Sequence, residues 1–162
     1  MRPAMPDERA SGAAVAATPA RTIVPLSAAD CCAVLERQRL CVVSVVDDGE
    51  PYAVPVFYGF DGRTLYLGVA EGRKTRALDV SPRVYIMVTE VGPGDAWRSV
   101  AIAGRARTLV DAAERQAAID VLIAHNRRVR ASDPPRDTPP PRRVGGRVLR
   151  IEDAVVTGRA FG

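Results

Sequence analysis

Between Leu40 and Val110 the chain is built of short apolar, β-branched runs separated by Gly- and Pro-containing punctuation. That is the pattern of strands and tight turns. Leu40–Val46 (LCVVSVV), Pro51–Phe60 (PYAVPVFYGF) and Arg63–Ala70 (RTLYLGVA) are predicted strands, and Asp48-Gly49 and Asp61-Gly62 are the hairpin turns between them. Arg83–Val91 (RVYIMVTEV) is a fourth strand, Trp97–Val110 a fifth with Gly104 as a bulge, and RVLRIEDAVVTGRAFG at the end of the sequence a sixth. Three segments carry helical signals instead. Ser27 is an N-cap with Asp30 three residues on, opening a helix over Ala28–Gln38 with Cys31, Val34 and Leu35 on one stripe. Arg73–Val80 is a short helix stopped by Ser81-Pro82. Asp111 with Glu114 caps a helix, DAAERQAAIDVLIAHNRR. The expected fold class is mainly β with short helices: about six antiparallel strands in a small closed or split barrel.

Residues 1–24, rich in Ala, Pro and Arg, read as a disordered leader without the continuous apolar core of a secretory signal, and residues 25–162 as one domain. Within that domain, residues 128–146 form a Pro/Arg-rich loop without periodicity. Pro55 interrupts the second predicted strand. Having no N–H for a ladder, it belongs at an edge, at a bulge, or where the ladder opens to a ligand.

At 162 residues the chain is long enough to bury a core without disulfide staples. No apolar run approaches the roughly 20 residues of a membrane span. Cys31, Cys32 and Cys41 have neither pairing arithmetic nor metal-ligand spacing, and read as reduced thiols of a cytoplasmic protein. No metal site is expected. The net charge of +4 falls largely in the leader and in the stretch Arg127–Arg150, and aromatics are 5% of the chain. Without aromatic and basic residues interleaved, a nucleic-acid surface is not expected; these charges read as solvated loops.

The candidate chemistry sits at Gly72-Arg73-Lys74. Lys74 is the only lysine in the sequence, beside Arg73, at the start of a predicted helix that follows a strand. Two cations oppose the helix dipole there, and a bound anion reverses that cost. Arg adds a planar fork and Lys a compact charge, both suited to phosphate oxygens.

In this setting the sequence resembles the pyridoxamine 5'-phosphate oxidase-like FMN-binding split-barrel superfamily, particularly its nitroimidazole-resistance-type branch. The likeness runs from about Ser27 to Gly158 and is carried by DDGEPYAVPVFYGFDGRTLYLGVAEGRKTRALDVSPRVYIMVTEV, WRSVAIAGRAR and LRIEDAVVTGR. The resemblance implies a homodimer with FMN in a groove at its interface. It implies that Arg73 and Lys74 grip the 5'-phosphate, that the backbone of Val54, Pro55, Val56 and Phe57 lies along the flavin ring, that Leu67 and Gly68 line the cofactor, and that Ser99 contacts it. Two departures set the chain apart from true pyridoxamine 5'-phosphate oxidases. Tyr52 and Phe57 stand where those enzymes carry Arg and Lys, and TGRAFG replaces their substrate-binding C-terminal segment. The implied activity is a flavin-dependent oxidoreductase acting on an unidentified small molecule, with a nicotinamide as one conceivable electron donor; no catalytic residue is assigned. F420, whose acidic tail the arginines near Arg142 and Arg143 would meet, and haem remain alternative cofactors, and a non-catalytic flavin- or haem-binding protein remains an alternative function. His125, the only histidine, reads as a helix-end side chain, with haem ligation or acid–base work as the other reading.

Overall fold

A computed structural model describes residues 21–131 and 146–162. The chain runs β1 (Ile23–Pro25), α1 (Ala28–Arg37), β2 (Leu40–Asp47), β3 (Glu50–Phe60), β4 (Leu65–Val69), α2 (Arg73–Val80), β5 (Arg83–Val91), a 3-10 turn, β6 (Trp97–Thr108), α3 (Ala112–Arg130) and β7 (Arg147–Phe161). All strand pairings are antiparallel, in the order β1-β7-β4-β3-β2-β5-β6. A further β6–β7 ladder closes the last six strands into a ring, with β1 appended outside it.

Two corrections to the sequence reading follow. Ile23 and Val24, assigned above to the leader, form β1 with Pro25 on the end of β7, which makes seven strands. Both ends of the Arg127–Arg150 stretch, read above as solvated loop, belong to regular elements, since α3 continues to Arg130 and β7 begins at Arg147. Residues 1–20 of the predicted leader, and Arg142 and Arg143, lie outside the described residues.

The local signals act where the sequence places them. Ser27 Oγ accepts from Asp30 N at 3.1 Å, and Asp111 Oδ1 accepts from Glu114 N at 2.8 Å. Asp48 and Gly49 both take positive φ (52° and 78°), as a two-residue hairpin turn matched to strand twist requires. The bulge near Gly104 lies on the opposite strand. Ala103 pairs with Val155 and Arg105 with Glu152, so Asp153 and Ala154 together face Gly104. The bulged backbone approaches so closely that a Cβ on Gly104 would meet Glu152 O at 2.9 Å. Glycine is the acceptor of the bulge, not its origin.

The core fills the ring. Val43, Tyr58, Leu67, Ile86, Val88, Val100 and Leu149 are each at most 2% exposed. Helix α1 packs on β5, β6 and β7, α2 on β2, and α3 across β3 and β4. Outside the ring, α3 packs over Gly59, Tyr66 and Val148 of β3, β4 and β7; the outer face of β2, β5, β6 and the adjoining part of β3 is largely apolar and is covered by no described element. The ladders align Pro55–Val42–Met87–Ala101–Thr157 in one row and Ala53–Ser44–Tyr85–Ala103–Val155 in the next. Leu40, Val42, Phe57, Tyr85, Met87 and Val155 all lie exposed there. Scattered exposed apolar side chains are ordinary, but a contiguous apolar sheet face marks a contact surface.

Candidate functional site

β3 is eleven residues long, yet β4 pairs only with Tyr58, Gly59 and Phe60. Residues 50–57 therefore have β2 on one side and an open edge on the other. The direction of each backbone group follows from the register. Tyr58 N donates to Arg39 O at 3.0 Å, so the hydrogen-bonded pairs continue as Cys41–Val56, Val43–Val54, Val45–Tyr52 and Asp47–Glu50. Pro51 and Pro55 occupy intervening positions, so their ring nitrogens face the open edge and no rung to β2 is lost. That edge presents carbonyls at Pro51, Ala53, Pro55 and Phe57, but N–H groups only at Ala53 and Phe57. An additional strand cannot pair along it continuously; a planar ligand with a few polar edge atoms can.

The side chains divide accordingly. Val54 and Val56 turn toward the core, half-buried and buried, while Pro55 and Phe57 are exposed on the apolar outer face. Leu67 is fully buried, and its side chain belongs to the core. Gly68 follows the last rung to β3, Tyr58–Leu67, and so borders Phe57 where the two strands part. Ser99 pairs with Thr89 and Arg159, and its side chain shares the outer face with Pro55 and Phe57. It stands three strands away, roughly 14 Å along the sheet at about 4.8 Å per strand. One chain therefore gathers residues 54–57, 67 and 68, and leaves Ser99 apart.

Helix α2 begins beside the same open edge. Thr75 Oγ1 accepts from Gly72 N at 2.9 Å, and Arg76 N donates to Gly72 O at 3.1 Å. The backbone N–H groups at the very start of the helix are left directed outward, as at any helix N-terminus. Arg73 Nε donates to Asp47 Oδ2 at 2.5 Å, and its guanidinium lies 4.5 Å from the centre of the Tyr52 ring. Lys74 is half-buried and has no ion pair or hydrogen bond among the described residues. Arg147 bonds both Glu71 and Asp79, with 2.8 Å from its Nε to Glu71 Oε1. These ion pairs hold both carboxyls below the usual carboxylate range, Asp79 through Arg147 and Glu71 through Arg147 and then Thr75. The acids flanking α2 are thus already paired, which leaves Lys74 and the more exposed Arg76 as the helix cations without a side-chain partner among the described residues.

A phosphorylated planar cofactor fits this arrangement. Its phosphate would meet Lys74, Arg73 and the first N–H groups of α2, and its ring would lie along the donor-poor edge of β3.

The sequence reading missed Asp47, and named Tyr52 only as a departure from the family pattern, not as a partner of Arg73. Both lie in the β2–β3 hairpin, 26 and 21 positions from Arg73, and no local pattern announces a contact of that range. Trp97 stacks on Phe161 with ring centres 6.1 Å apart, at the β6–β7 end of the ring. Arg98 approaches Glu90 at 3.5 Å. His125 is 1% exposed, with Nε2 2.7 Å from Gln38 O and Nδ1 3.2 Å from Arg128 Nη2. Both ring nitrogens are thereby engaged, and neither is offered to an iron. A cleft of about 690 Å³ adjoins this histidine, lined by Gln38, Arg39, Leu40, Glu90, Arg128 and Val129 among others. No helix among the described residues is long and apolar enough to cross a membrane.

Comparison with known proteins agrees with this architecture. A family model described as pyridoxamine 5'-phosphate oxidase matches residues 27–160. A crystal structure of an FAD-binding protein of Mesorhizobium loti is 28% identical, covering 85% of this chain and 97% of that one, with a TM-score of 0.68. A Bacteroides thetaiotaomicron protein assigned to 5-nitroimidazole antibiotic resistance superposes with a TM-score of 0.70 at 21% identity, over 88% and 90% of the two chains. The FAD-binding protein of Mycobacterium smegmatis gives a TM-score of 0.59 at 20% identity, over 87% and 100%. The uncharacterized protein RA0666 of Rhizobium meliloti (strain 1021) is 29% identical over 84 residues, a match spanning 52% of this chain and 56% of that protein. With a six-strand ring opened along β3 and the family match running from residue 27 to residue 160, the protein belongs to the pyridoxamine 5'-phosphate oxidase-like family of split-barrel proteins.

Proposed function

We propose that this chain is a homodimeric FMN-dependent oxidoreductase acting on a small molecule. The observation that carries the reading is the conjunction of the open β3 edge with Lys74, unpaired among the described residues, at the start of α2. Bound there, the flavin supplies two-electron redox chemistry, and the protein supplies binding and electrostatics. Arg73 and Lys74 hold the phosphate. The backbone of Val54, Pro55, Val56 and Phe57, with that of Leu67 and Gly68, orients the ring.

The homodimer rests on two features. The outer sheet face bearing Leu40, Val42, Phe57, Tyr85 and Met87 is apolar and exposed. Ser99 lies on that face but three strands from the β3 edge, so it reaches a flavin only across a two-fold interface, from the second copy. Tyr52 and Phe57, in place of the basic residues of true pyridoxamine 5'-phosphate oxidases, argue against vitamin B6 oxidation. The likeness to an FAD-binding protein at 28% identity favours FAD as the second reading of the same site. F420 and haem remain alternatives. The three free cysteines and the absence of a long apolar helix among the described residues agree with a cytoplasmic protein.

The test is the visible spectrum of the purified protein, followed by mass spectrometry of the heat-released ligand. Flavin bands and an FMN mass are expected. Lys74→Ala should weaken FMN binding by about 1–3 kcal/mol, the worth of a charge-assisted hydrogen bond. An FAD mass, a deazaflavin spectrum or a Soret band replaces the cofactor. A protein that binds none of them sinks the reading.

A further inference from the structure

Arg73 is already engaged in the ligand-free chain. Its Nε donates to Asp47 Oδ2 at 2.5 Å, and one face of its guanidinium rests 4.5 Å from the Tyr52 ring centre. The Arg73 side chain is 46% exposed and that of Asp47 28%. A surface ion pair of this kind contributes little to stability, about 0–1 kcal/mol. Its geometry nonetheless fixes the plane of the fork. The carboxylate takes the Nε edge, the ring covers one face, and the end-on pair of nitrogens has no other partner among the described residues. Asp47 ends β2 and Tyr52 begins the open edge of β3, so one hairpin carries both contacts.

From this geometry we infer that Asp47 and Tyr52 are positioning residues for the anion site: they hold the Arg73 guanidinium ready to meet a phosphoryl group at the start of α2. The inference deepens the flavin-nucleotide reading and rests on it. An unrestrained arginine loses rotamer freedom when it closes on a ligand, and restraint beforehand removes that cost. Asp47 also places a negative charge near the incoming phosphate. The carboxylate and the phosphate stand on opposite edges of a guanidinium, both in contact with water, where repulsion is weak and screened by salt. Preorganisation is therefore the larger effect.

The experiment compares the affinities of FMN and riboflavin, which differ by the phosphate, for the wild-type protein and for Asp47→Ala, Asp47→Asn, Tyr52→Leu and Tyr52→Phe. Flavin fluorescence quenching provides the readout. Asp47→Ala and Tyr52→Leu should weaken FMN about tenfold and leave riboflavin within twofold. Asp47→Asn, which keeps an acceptor for Nε, and Tyr52→Phe, which keeps the ring, should retain FMN affinity within threefold. Equal losses for both ligands would mean that the hairpin merely supports the fold, and unchanged or tighter FMN binding in Asp47→Ala would mean that Asp47 restrains nothing useful; either overturns the inference. A wild-type protein that binds FMN no better than riboflavin would instead overturn the phosphate site itself, and the inference with it.

Discussion

His125→Ala removes the one imidazole of the chain from a place where it is 1% exposed. Gln38 O can only accept and Arg128 Nη2 can only donate. The ring is therefore neutral, with its proton on Nε2, donating to Gln38 O at 2.7 Å and accepting from Arg128 at Nδ1. Its ring centre lies 5.1 Å from that of Tyr58, the two planes tilted by 34°, and the Tyr58 hydroxyl donates to Leu35 O at 2.8 Å. Truncation strands the Gln38 carbonyl, worth about 1–3 kcal/mol, and opens a cavity between α1, α3 and β3. A total loss of about 3 kcal/mol is expected, a large share of a small domain's stability. The pH dependence is the sharper test. Burial depresses the folded-state pKa below 6.5, and the Arg128 charge adds to this, against opposing contributions from the Gln38 and Phe60 carbonyls and from Glu36. An unfolded chain then binds the proton at a higher pH than the folded one does. This contribution to stability is complete above the unfolded value near 6.5 and is lost as pH falls from there toward the folded value. Urea unfolding at fixed protein concentration, at pH 8 and pH 5.5, measures it. The wild type should lose stability between these values, and His125→Ala should lose markedly less. Identical losses in the two proteins would refute the locked-tautomer argument, because no other histidine titrates in that window.

Three further outcomes are expected. Under native conditions a small maleimide should label Cys32 first and leave Cys41 unmodified, because burial pushes the Cys41 thiol up to about 12 and its Sγ lies 3.3 Å from Val56 O; intact-mass analysis counts the labels. Gly59→Ala should destabilise by about 1–3 kcal/mol in the same urea titration, since the new Cβ would stand 2.7 Å from Leu122 Cα, a backbone atom of α3 that cannot swing aside. Met87→Arg, at the centre of the apolar outer face, should shift the protein to monomer in light-scattering chromatography without lowering the unfolding midpoint of the isolated chain; an unchanged dimer would place the interface elsewhere.

Which features were legible in the residues follows from the range of the interactions behind them. The Asp48-Gly49 turn, the Ser27 and Asp111 caps and the bounds of α2 and β5 are set by neighbours within four positions, and all are where the pattern puts them. The candidate site at Arg73-Lys74 stood out for the same reason, because a glycine and two cations at a helix start form a local anomaly. β1 was not visible: three residues of strand are too short for a period, and their partner is the distant end of β7. Gly104 announced an irregularity but not which strand carried the extra residue, which depends on the β6–β7 register. The tether of Arg73 to Asp47 and the burial of His125 arise only when hairpin, helix and barrel meet.

The ring of strands closes through β7 alone, since Arg147–Arg150 at its start pair with β4 while most of its length runs along β6. A ribosome that has made the chain only as far as α3 has therefore released β4 and β6 with unpaired backbone edges and an unsealed core. Arg147 to Phe161 repair both edges at once. Until they emerge, the nascent chain has two sites at which a neighbouring chain can add a strand. For this protein the hazardous interval of synthesis is the one before β7 emerges, and a translational pause before Arg147 would prolong it.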